Sequence, residues 1–142
     1  MGDLSSWGYF RVLSWYAFTK SGITGIKDLG YITTIENGVN YTNYHTPNWN
    51  IGCFSHCTSL RYAVLPDTLT HIGSYCFYDT PALEWVKCLA TVPPAFGQTD
   101  PSSNGYPFYN SSCNFYVPDA VVNDYKAAAG WSSMASRIFP MS

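Results

Sequence analysis

Between Cys53 and Cys88 the chain writes one apolar pattern twice. Phe54, Leu60, Ala63 and Leu65 return 23 residues later as Phe77, Leu83, Val86 and Cys88. An internal period in the twenties constrains the fold more than any local propensity, because it is the mark of a solenoid built from repeats. A single repeat cannot bury its own apolar face, so each must stack on a neighbour.

The spacing L-x-x-A-x-L, then L-x-x-V-x-C, is that of a leucine-rich repeat. Leu60–Leu65 reads as a short parallel strand with Leu60, Ala63 and Leu65 facing inward, ended by Pro66, which has no N–H for a ladder. Residues 67–73 then cross back, and 74–77 make a turn or a second short strand. Phe18, Phe54 and Phe77 are expected to fill one core layer.

The rest of the chain divides around this unit. Residues 1–17 read as a partial rung and N-terminal cap. There Leu13 to Phe18 lies over Ile72 to Phe77, and Trp7, Tyr9 and Phe10 are available to cover the end. Residues 18–96 carry the repeats. In them Ile23, Ile26, Leu29, Ile32 and Ile35 match Leu60, Ala63, Pro66, Leu69 and Ile72, each 37 positions on. The 13 surplus residues between Phe18 and Phe54 fall at 38–50, whose Asn, Thr, Gly and Pro favour a loop. Residues 97–118 read as a degenerate last rung, with Pro118 in the place of Pro66. Residues 119–142 form a helical C-terminal cap, with Asp119 as N-cap, a helix over 119–129 and a left-handed Gly130. The fold expected is one domain of 1–142: a mainly β, α/β solenoid. It is a short right-handed coil of about four to five rungs closed by a capping helix.

Composition excludes several roles. A net charge of −2 without a basic run argues against nucleic acid as a partner. No apolar stretch approaches the roughly 18 residues of a membrane span, so no membrane insertion is expected. The N-terminus has no basic region followed by an apolar run, so no signal peptide is read there. Met1-Gly2-Asp3-Leu4-Ser5-Ser6 fits the loose N-myristoylation pattern, too short to carry weight.

Cys53, His56, Cys57 and Cys76 mix thiols and imidazole, the donors of a zinc site, but lack a paired C-x-x-C. The repeat explains them more simply, with Cys53 and Cys76 in the Ala17 column and Cys57 a small inward residue. Neither metal nor cofactor is expected, and reduced thiols are favoured over a Cys53–Cys76 bridge. His45, His56 and His71 sit in no catalytic motif, so no enzyme is expected, His45 and His71 being the only bases to consider.

Aromatics make up 18% of the chain, more than a core of this size needs. If Leu60, Ala63 and Leu65 face inward, Tyr62 faces out, and the same logic turns Trp85 and Tyr116 outward. These three are expected to line a strip of the strand face, flanked by Arg61 and Lys87. Rings with a basic rim suit contact with protein or glycan. Tyr41, Tyr44, His45 and Trp49 in the 38–50 insertion are a second candidate, as a polar-aromatic loop of the kind that stacks on sugars.

Ala17-Phe18, Cys53-Phe54…Cys57-Thr58-Ser59-Leu60 and Pro66…Leu69-Thr70-His71-Ile72-Gly73 resemble BspA-like (Treponema pallidum-type) leucine-rich repeats. Cys88 to Pro94 with Phe115 to Trp131 look like the ending of such proteins in Bacteroides-type bacteria. The resemblance implies a non-catalytic adhesion or binding module that recognises a host protein or glycan, at the cell surface or secreted. The absent export signal keeps a second expectation open: a structural subunit of a larger assembly such as a phage particle, in a virion or the cytoplasm, burying the same face against a neighbour. The ligand and the oligomeric state are left open by the residues.

Overall fold

The structure, a computed structural model, describes residues 11–14, 16–41 and 49–142, the side chains of Tyr41 and Trp49 excepted. The expected roles of Trp7, Tyr9 and Phe10, and of the first six residues, lie outside that range. Eleven short strands and one α-helix are described: β1 (Val12–Leu13), β2 (Gly25–Ile26), β3 (Thr34–Ile35), β4 (Val39–Tyr41), β5 (Trp49–Ile51), β6 (Tyr62–Leu65), β7 (His71–Ile72), β8 (Trp85–Cys88), β9 (Ala95–Phe96), β10 (Asn114–Val117), α1 (Val122–Ala127) and β11 (Ile138–Pro140).

Two parallel sheets carry the repeats. One orders β2–β6–β8–β10–β11, the other β1–β3–β7–β9. Register preserves the period: Ile26 pairs with Ala63 and Ala63 with Val86, while Leu13, Ile35, Ile72 and Phe96 align across the second sheet. Each strand alternates, so Ala63 and Leu65 are fully buried while Tyr62 and Val64 stay half-exposed. Pro66 and Pro118 follow directly on β6 and β10, as their missing N–H requires. Pro140 sits in β11 at the end of the five-stranded sheet, where it blunts the outer edge.

A third column closes the coil. Phe18, Phe54, Phe77 and Phe108 stack with centroids 5.4, 5.2 and 5.0 Å apart. Beside them the turns bond to one another, Phe54 N–H to Cys76 O and Phe77 N–H to Pro107 O, at 2.8 and 2.7 Å. Buried peptide groups thus find partners where no strand is formed. Two residues after each Phe, the backbone is left-handed at Lys20, His56, Asp79 and Asn110, with φ of 57 to 58°. No glycine relieves these turns, and each carries a cost of about 1 kcal/mol that the ladder beside it offsets.

All five cysteines are free thiols and buried. Cys53, Cys57 and Cys76 fill the core, and Cys57 Sγ lies 3.1 Å from Phe18 O.

Three local expectations are corrected. The 38–50 insertion is paired at its stems, Val39 with Ile51 and Asn40 with Asn50, antiparallel. Pairing gives its backbone partners that a bare loop would lack, and Gly38 N–H donates to Ser74 O at 2.7 Å to fasten it. The helix begins as a 3-10 turn at Asp119–Val121 and is α-helical only over Val122–Ala127. Asp119 caps nothing: Pro118 holds the N-cap position, and the Asp119 carboxylate accepts from Ser142 N–H at 3.2 Å and from its hydroxyl. Those two hydrogen bonds hold the carboxyl below its usual pKa.

Gly130 is left-handed, φ 81°, and a Cβ there would meet Phe96 at 2.4 Å. It sits beyond the helix, at the point where the chain turns Trp131 into the core. Trp131 is fully buried, donates Nε1–H to Pro94 O at 2.9 Å, and packs against Phe96, Phe115 and Tyr125.

Candidate functional site

The outer face of the five-stranded sheet is built by period-2 alternation: whatever follows an inward residue faces out. Register sets these residues in two rows. The first runs Gly25, Tyr62, Trp85, Asn114. The second runs Val64, Lys87, Tyr116, Phe139, with Lys27 following directly on β2 beside Val64. Tyr116 therefore stands in the Lys87 row, one row over from Tyr62 and Trp85, because β10 joins β8 with Asn114 opposite Trp85. The expected single strip is a two-row patch.

Tyr62 and Trp85 stack, with centroids 5.0 Å apart and planes 19° from parallel. Neighbouring parallel strands hold paired side chains about 4.8 Å apart, close to a stacking distance, so the register itself makes the pair. The Tyr62 ring also covers Gly25, where a side chain would collide with it. Lys87 folds back so that Nζ lies 5.4 Å from the Trp85 ring centroid, a cation–π contact. In the second row Tyr116 meets Phe139 at 5.9 Å, and Phe139 is 40% exposed.

Arg61 is not a free rim cation. Its Nη2 and Nε donate to Glu84 Oε1 at 2.8 and 3.3 Å, and that hydrogen bond pushes its pKa up. Glu84 was missed at the sequence level, although it stands 23 residues after Arg61 in the repeat.

Of the insertion candidates, Tyr44 and His45 lie outside the described residues. Tyr41 and Trp49 are opposite each other in the β4–β5 pair, and their side chains lie outside the description too.

The histidines go elsewhere. His56 is turned away from the thiols: Nδ1 lies 3.1 Å from Asp79 Oδ2 and Nε2 3.1 Å from Asn50 O. His71 faces outward from the second sheet, with Nε2 2.9 Å from Asn37 Oδ1, and burial lowers its pKa. That Asn37 oxygen also accepts from Ser74 N–H, so the His71 Nε2 carries the proton in this contact.

A second aromatic group went unread in the sequence. Tyr78 and Tyr109 stack at 5.4 Å, with Tyr75 and His56 edge-on to Tyr78 at 6.0 and 5.5 Å. The signal for the stacked pair was present, since Tyr78 follows Phe77 and Tyr109 follows Phe108 in the column.

Among the described residues no helix is long and apolar enough to cross a membrane. A search of curated proteins finds no match to this chain. Comparison with protein families matches it to the BspA type leucine rich repeat region, six copies over residues 13–93, more than half of its length. Such domains are in general protein-interaction or adhesion modules and typically non-catalytic. Period, register and match agree, and the chain belongs to the BspA-type leucine-rich-repeat family.

Proposed function

We propose that this chain is a non-catalytic binding module that contacts a protein through the outer face of its five-stranded sheet, at the cell surface or after secretion. The observation that carries the reading is the Tyr62–Trp85 stack, held in register and half-buried on the outer face of the sheet. Rings contribute large contact area at small entropic cost, which is why they dominate protein contacts. The stack also bears on the choice between protein and glycan. Face-to-face stacking uses ring surface that a sugar would need, leaving edges and hydroxyls for a protein partner. In this reading the coil has about four to five rungs, and residues 119–142 close its end. The burial of Trp131 and Tyr125 supports that closure.

An array of host matrix proteins and glycans, probed with wild type and with Tyr62→Ala/Trp85→Ala, tests the reading. The expected result is a protein signal that the double variant loses while its unfolding midpoint holds. An undiminished signal removes the face from consideration. Size-exclusion mass tests the subunit alternative: a stable oligomer that the same double variant dissociates would assign the face to self-assembly.

A further inference from the structure

Asparagine precedes glycine twice in this chain, at Asn37-Gly38 and at Asn104-Gly105. Such a pair invites one reaction. Glycine has no Cβ to bar the approach, so its main-chain nitrogen can reach the side-chain Cγ of the asparagine before it. Both asparagines are exposed, and access to solvent does not separate them. What separates them is how each amide is held.

At Asn37 the amide is clamped. Its Oδ1 accepts from His71 Nε2–H at 2.9 Å and from Ser74 N–H at 3.1 Å. Gly97 lies so close to that oxygen that a Cβ there would strike it. The attacking nitrogen is held as well, since Gly38 N–H donates to Ser74 O at 2.7 Å. These partners belong to neighbouring rungs, so the side chain cannot swing onto Gly38 without parting them.

At Asn104 the same groups are loose. The pair forms the middle of a turn closed by Tyr106 N–H to Ser103 O at 3.1 Å. Among the described residues the Asn104 amide makes no hydrogen bond. Gly105 N–H has the adjacent Ser103 Oγ at 3.2 Å, a local hydroxyl that water can replace.

We propose that Asn104 is a site of spontaneous deamidation, a reaction that the fold closes to Asn37. Gly105 N gives up its proton to solvent and bonds to Asn104 Cγ; the Cγ–Nδ2 bond breaks, and the amide nitrogen leaves as ammonia. Water then opens the succinimide ring at either carbonyl, giving aspartate or isoaspartate. Both products add a carboxylate. Isoaspartate also puts one more carbon into the main chain, beside the Gly105 carbonyl that accepts from Tyr75 N–H at 3.0 Å. The reaction is independent of what the sheet face binds.

The test holds native protein in mildly alkaline buffer and follows both sites by peptide mapping with mass spectrometry, isoaspartate being marked by a methyltransferase specific for it. Product is expected at Asn104 at least about tenfold faster than at Asn37. In urea, where the clamp is gone, the two rates should lie within about threefold of each other. Gly105→Ala fits the native turn, because its Cβ would have nothing nearer than 3.6 Å and φ there is not left-handed. It should slow Asn104 at least about tenfold and leave the unfolding midpoint in place. His71→Ala removes one donor from the clamp and should quicken Asn37 at least about threefold, with Asn104 unaffected.

Asn37 reacting as fast as Asn104 in the native protein, or an Asn104 rate unmoved by Gly105→Ala, would overturn the proposal. A gap of about tenfold that persists in urea would place the difference in the flanking sequence and overturn it too. An Asn37 rate unmoved by His71→Ala would refute the clamp.

Discussion

The Tyr62 ring occupies the space into which a side chain on Gly25 would project: a Cβ there would sit 2.2 Å from Tyr62 Cζ. Gly25 therefore sets where the ring rests, and through it the stack with Trp85. Gly25→Ala should push the ring aside and change the near-ultraviolet dichroism of the Tyr–Trp pair, while stability shifts by less than about 1 kcal/mol. An unchanged aromatic spectrum would show that the ring does not depend on the bare backbone beneath it.

Stability should concentrate in the phenylalanine column. Phe54 and Phe77 are fully buried with a stacked ring on either side, whereas Phe18 has one stacked neighbour among the described residues and is half-buried. Phe54→Ala is expected to cost about 3–5 kcal/mol in urea unfolding, and Phe18→Ala clearly less. Equal costs at the two positions would contradict a column whose interior is its strongest part.

The thiols should be unreactive while the chain is folded. Burial pushes Cys88 and Cys113 up to about 11 and raises Cys53, Cys57 and Cys76 as well. The thiolate is the reactive form, so near neutral pH a colorimetric thiol reagent should react slowly with native protein. After unfolding it should titrate five groups, the number of cysteines in the sequence. Fewer than five in denaturant would reveal a bridge.

His71 gives stability a pH dependence of known sign. Its folded pKa lies below the ordinary 6.5 because burial disfavours the charged ring. The neutral form is thus favoured by folding, so the stabilisation is complete above that value and is lost as pH falls through the folded pKa. Urea midpoints should decline from about pH 7.5 to about pH 5.5, and His71→Gln should flatten part of that decline. An identical slope in the variant would exclude His71 as its source.

Tyr125 fastens α1 to the last repeats, its hydroxyl donating to Ala90 O at 2.7 Å with Cys88 Sγ 3.2 Å away. Tyr125→Phe keeps the ring but strands a buried carbonyl, for an expected loss of about 1–3 kcal/mol. A midpoint equal to wild type would mean that the carbonyl finds another donor once the hydroxyl is gone.

Where side chains recur in columns, the residues alone were enough. Phe54 over Phe77 and Ala63 beside Val86 follow from a period written in the chain, because burial acts on each apolar side chain and equal spacing puts equal side chains at equal heights. Outward-facing Tyr62 and Trp85 came with them, since strand alternation leaves no third direction. What broke the period was decided only by tertiary structure. Tyr116 fell into the Lys87 row through the register of β10, set beyond a turn-rich excursion with no counterpart elsewhere in the chain. Arg61 found Glu84, Asp119 left its expected cap for Ser142, and the insertion's stems paired with each other. Each of these is a polar or backbone group choosing among near-equivalent partners, a choice made by distances that exist only once the chain has folded.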